Sequence, residues 1–172
     1  DESKKAELRK KLIEKAKEKL KEVYTRDKLL IYSTALVEDL EKMINLLYER
    51  MEDLYSIYFP ELFDEFSDIE KICKAINIID KEKIEETRKN LEIFGKEKAN
   101  VIVNKLISTK GIDLTQKDLN EIKNISRLIL NLKKEKERIE TFNDALVREV
   151  APNLSEVGGP KIAAKLIAKA GG

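Results

Sequence analysis

An apolar residue returns every seven positions from Leu30 through Val37, Ile44 and Met51 to Tyr58. Leu40, Leu47 and Leu54 follow three after three of them. This is the a/d spacing that keeps one seam of a helix against a partner helix. Leu29, Leu36 and Met43 lie beside the seam and widen the apolar stripe. A stripe of that width packs against more than one neighbour. The pattern predicts a helix that starts at a cap on Thr25 or Asp27 and ends near Phe59, because Pro60 disfavours helix at the residue before it.

The same signature returns from about Thr115 to Val150. Ile125, Leu132, Ile139 and Leu146 are seven apart, and Leu128 and Phe142 follow three after two of them. Thr115 and Asp118 form a cap-like pair at its start. The run KKEKER at 133–138 holds no apolar residue, so that turn should be solvated. Each segment is about 30 residues, or roughly 45 Å at 1.5 Å per residue. A compact insert, 61–114, separates them and reverses the chain. The expected fold is all-α: a long antiparallel coiled coil with a small helical insert at its tip. In the insert, Ser67 with Glu70 reads as a capping box and Asp80 as an N-cap. Gly95 reads as a break and Gly111 as a helix C-terminus.

Composition agrees with long helices. Charged residues make up 39% of the 172 positions, with only 3 Pro and 6 Gly. The formal net charge is +1, so attraction to nucleic acid or membrane must come from local patches. One such patch is SKKAELRKKLIEKAKEKLKEVY, residues 3–24, with Leu12, Ala16, Leu20 and Val23 as a narrow stripe. It reads either as an RNA-facing basic helix or as a solvated linker helix, and the linker reading is preferred. No stretch approaches the roughly 18 apolar residues that span a bilayer, and no signal-peptide pattern opens the chain, so an intracellular location is expected.

Chemistry is sparse. There is no His, which removes the commonest general base and metal ligand. No Gly-rich phosphate loop follows an apolar strand. The carboxylates are interleaved with Lys at helical spacing, as on a solvated face. Cys73 is the single cysteine, set among Ile72, Ile76 and Ile79, and reads as a buried inert thiol. No catalytic residue, metal site or cofactor is expected.

Residues 151–172, APNLSEVGGPKIAAKLIAKAGG, follow the second rod helix, which Pro152 should end. Ser155 can cap a short turn, and Pro160 fits a first helical turn. Ala163, Ala164, Leu166, Ile167 and Ala170 then make a nearly all-round apolar helix. Lys161, Lys165 and Lys169, four apart, share one face and are the candidate nucleic-acid contacts. A helix this rich in Ala needs close neighbours, and none follows. The stretch is therefore expected to open a domain cut short at residue 172.

These residues resemble the opening of the Nop domain. Upstream, DKLLIYSTALVEDLEKMINLLYERMEDLYSIYFPEL (27–62) resembles the first coiled-coil helix of the same family. Ile44, Asn45, Leu46, Arg50, Tyr55, Phe59, Pro60, Glu61 and Leu62 fit its pattern, while Leu54 and Tyr58 stand where Trp and His are usual. KGIDLTQKDLNEIKNI (110–125) resembles the end of the insert and the start of the return helix. The three motifs occur in the family's order and spacing.

The resemblance implies an archaeal Nop protein of the box C/D small ribonucleoprotein. The residues themselves place a basic linker helix at 1–26; the resemblance implies the coiled-coil domain with its insert at 27–150 and the start of the Nop domain at 151–172. It implies a scaffold for guided RNA 2′-O-methylation, with fibrillarin, a kink-turn-binding protein, box C/D guide RNA and a second copy of itself as partners. The family's GAEK-type segment, which carries much of its RNA-facing surface, has no counterpart in these residues. The location implied is the cytoplasm of an archaeal cell, or the nucleus or nucleolus in a eukaryote. A spliceosomal-type Nop factor, or a coiled-coil spacer with no RNA role, are the alternatives. The residues themselves predict a homodimer, because the apolar Leu29, Leu36 and Met43 lie outside the a/d seam that an intrachain partner would cover.

Overall fold

The computed structural model describes residues 2–171, in which every regular element is helical. The elements are α1 (Glu2–Tyr55), α2 (Ile69–Ile78), α3 (Ile84–Leu91), α4 (Lys96–Ile107), α5 (Gln116–Val150), α6 (Pro152–Gly158) and α7 (Pro160–Ala170). Short 3-10 turns at Pro60–Asp64, Lys81–Lys83 and Glu92–Phe94 join the insert helices. The chain divides into two compact units: residues up to 39 with those from 136 onward, and residues 40–135.

α1 is one helix and not two. The cap expected at Thr25 or Asp27 does not form, and the Thr25 hydroxyl donates to the Lys21 carbonyl, as in a helix interior. The reason is local: residues 2–55 hold neither Gly nor Pro and are dominated by Lys, Glu and Leu, so nothing interrupts propagation. The helix stops at Tyr55, earlier than expected. The Ser56, Tyr58 and Phe59 amides still bond back to Glu52 and Tyr55 as the chain unwinds into Pro60.

In the first unit α1 and α5 run antiparallel. Arg26 of α1 forks onto both carboxylate oxygens of Glu149 of α5, at 2.9 and 2.8 Å. Ser33, further along α1, meets Asn143, earlier on α5. Leu30, Leu146 and Val147 form the apolar contact between these rungs, and Ala163 and Ala164 of α7 join the same cluster. The closely packed neighbour that the Ala-rich helix requires is thus already in the chain: it is the helix pair itself. Alanine is what allows it, since a methyl side chain lets the α7 backbone approach Leu30 and Leu146. Ser155 caps nothing; it lies inside α6, and its carbonyl accepts from the Gly159 amide. Gly159, at φ +77, precedes α7 in a conformation that favours glycine.

The second unit buries Ile44, Met51, Ile122 and Ile129 of the long helices with the apolar sides of α2, α3 and α4. α2 is capped by Asp68, whose side chain accepts from the Lys71 amide at 2.9 Å, one residue later than the expected Ser67. Asp80 caps as expected, but over the 3-10 turn at 81–83. Thr115 and Asp118 bond reciprocally at the α5 start, as expected. Cys73 is fully buried, and burial pushes its thiol up to about 12, which leaves it inert at neutral pH.

Three seam positions shift by one residue. Leu54, Leu128 and Phe142, expected inside, are each more than 40% exposed, and Tyr55, Ile129 and Asn143 are buried in their place. Residues three and four after a seam position share its face, and at these three places the residue four on turns inward.

Candidate interaction surfaces and their structural support

The FPEL stretch, 59–62, fixes the end of α1. Phe59 and Leu62 are fully buried, and Pro60 opens the 3-10 turn. Between them, Glu61 accepts hydrogen bonds from the Thr109 hydroxyl and, at 3.0 Å, from the Lys110 amide. Burial alone would raise the Glu61 carboxyl, but these hydrogen bonds outweigh it and hold it below the ordinary glutamate range. Next along, the Ile112 amide donates to the Ile57 carbonyl at 2.7 Å. Gly111 sits so close that a Cβ there would lie 2.0 Å from the Tyr58 carbonyl oxygen. Gly111 therefore does not end a helix; α4 ends at Ile107, and the glycine admits the return segment against α1.

Glu65 anchors the insert. It is nearly buried and receives Lys105 at 2.6 Å and Lys98 at 2.8 Å. Bonds from these two lysines hold its carboxyl low. Lys98 also lies over the Phe66 ring, which packs on Phe94 at 4.9 Å between centroids.

Leu29, Leu36 and Met43 are 41%, 46% and 47% exposed, so the intrachain packing leaves them open. Tyr32 and Leu46 on α1 and Phe142 and Leu128 on α5 are exposed apolar side chains that the seven-residue repeat did not single out as surface. For Phe142 and Leu128 the usable signal was that the residue four after a seam position shares its face as the residue three after it does.

Lys161, Lys165 and Lys169 are all exposed on α7, away from the buried Ala163 and Ala164. Lys161 reaches Glu140 of α5 at 3.5 Å. Beside the lysines, Ile162 and Leu166 are more than half exposed. Among the described residues no group of three or more His, Cys, Asp or Glu side chains could hold a metal ion, and no helix is long and apolar enough to cross a membrane.

Each unit presents exposed side-chain surfaces on packed helices. Comparison with known proteins places the chain. The family described as "Nop: snoRNA binding domain, fibrillarin" matches residues 36–172, and the chain belongs to that Nop family. It is 30% identical over 147 residues to a NOP5 family protein of Methanocaldococcus jannaschii, covering 86% of this chain and 36% of that protein. It is 32% identical over 149 residues to nucleolar protein 56 of Bos taurus and 30% identical to that of Homo sapiens, each over 84% of this chain and 25% of the relative. The chain thus spans between a quarter and about a third of the length of these relatives.

Proposed function

We propose that the chain is the coiled-coil part, with the opening of the Nop domain, of a non-catalytic scaffold in a box C/D ribonucleoprotein that guides RNA 2′-O-methylation. The whole protein would bridge fibrillarin and the core formed by kink-turn RNA with its binding protein, and would pair with a second copy through the coiled coil. The observation that carries this reading is the seat of α7. The Nop-like stretch 151–172 is docked through Ala163 and Ala164 on the coiled-coil residues Leu30, Leu146 and Val147. A fixed angle between a coiled coil and a following domain is what a scaffold needs to hold partners at set distances; a simple spacer does not need it.

In this reading residues 27–150 form the coiled-coil domain with insert 61–114, and 151–172 begin the Nop domain. Residues 1–26 serve as a basic linker helix continuous with the rod. Leu29, Leu36 and Met43 are the self-association surface, and Lys161, Lys165 and Lys169 are subsidiary RNA contacts. No cofactor is required. The cell compartment would be the archaeal cytoplasm, or the nucleolus for a eukaryotic protein.

Labelled box C/D RNA titrated with this chain, with and without a kink-turn-binding protein, tests it. Three lysines supply few phosphate contacts, so the chain alone should bind weakly and lose that binding by moderate salt. The complex with the kink-turn protein should gain affinity. Tight, salt-resistant binding by the chain alone, or no gain with the kink-turn protein, would overturn the assignment.

A further inference from the structure

We draw no further inference here: the strongest candidate, the exposed and uncharged outer face of α4 at Asn100, Val101, Asn104 and Ile107, carries nothing because nothing in the structure shows what covers it.

Discussion

Ser33 of α1 donates its hydroxyl to Oδ1 of Asn143 of α5 at 2.6 Å, inside the seam that Leu30 and Leu146 otherwise make apolar. Asn143 is only 5% exposed. A polar rung in an apolar seam fixes register, because sliding either helix by a turn would leave the amide buried without its partner.

The rung is asymmetric, and so are its expected mutants. The Ser33 hydroxyl has the Leu29 and Leu30 carbonyls in reach at 2.8 and 3.2 Å, so it stays satisfied without Asn143. The buried Asn143 has no such reserve. Ser33→Ala should therefore cost about 1–3 kcal/mol, the penalty of an orphaned buried group. Asn143→Leu should be close to neutral, since it replaces a polar rung with apolar packing. Urea unfolding of the two variants measures both, and a larger loss for Asn143→Leu would contradict the argument.

Gly111→Ala is expected to be severe for a single methyl. The added Cβ would meet the Tyr58 carbonyl oxygen at 2.0 Å, which is backbone and cannot swing aside. Either the return segment moves, breaking the Ile112 amide bond to Ile57 and loosening Glu61 from Lys110, or strain is accepted. A loss of about 2–3 kcal/mol follows from overpacking of this kind. Gly95→Ala is a useful contrast, with open space around its Cβ but φ +103. Its cost is conformational, about 1–3 kcal/mol, because φ +103 with ψ 143 is essentially open only to glycine. Thermal melting should show both variants below the native chain, with only Gly111→Ala disturbing the 57–61 and 109–112 contacts.

Ile44→Asp places a carboxylate at a position 5% exposed in the apolar core of the 40–135 unit. A buried carboxylate in apolar surroundings should cost several kcal/mol. An unchanged melting temperature would mean that the seam register is wrong.

The long helices and their antiparallel return were legible because a seven-residue repeat survives most local noise. Ile44, Met51 and Leu146 are buried where the repeat put them. Leu54, Leu128 and Phe142 were misread because the residue four after a seam position can face inward as well as the residue three after it, and spacing alone does not choose between them. The motif FPEL was recognisable, but its purpose was not: Glu61 bonds Thr109 and Lys110, about 50 residues on, and only the folded chain brings them together. The neighbour of α7 escaped for the same reason. A search forward along the sequence for what covers Ala163 and Ala164 finds nothing, while Leu30 lies far behind them.

Acid should loosen the 40–135 unit. Glu61, Glu65, Asp68 and Glu70 are all held below their ordinary values in the folded chain. For Glu65 and Glu70 lysine hydrogen bonds are the largest cause; for Asp68 it is the Lys71 amide; for Glu61 burial opposes and its hydrogen bonds prevail. A carboxylate with a depressed folded pKa contributes its stability in full above the unfolded value, about 4, and loses it as pH falls through the folded one. Stability should be flat from about pH 7 to pH 5 and fall below about pH 4. Glu65→Gln removes the centre of the Lys98 and Lys105 pair, so it should reduce the size of the acid drop. Melting temperature followed against pH for both proteins checks the sign, and a rise in stability below about pH 4 would refute it.

The last expectation concerns self-association. Leu29, Leu36 and Met43 recur every seven residues on α1 and remain 41–47% exposed after the chain has packed its own coiled coil. Exposed apolar residues repeated along one line of a helix are what a second helix pair would cover. The chain should sediment as a dimer at tens of micromolar. Leu36→Glu with Met43→Glu places like charges on both copies of that surface and should yield a monomer. Because the two positions are half exposed, the cost to folding should stay within about 0.5 kcal/mol each, so circular dichroism and melting should change little while mass halves. Sedimentation equilibrium decides: a native chain that remains monomeric at high micromolar concentration, or a double variant that remains dimeric, removes these residues from the interface.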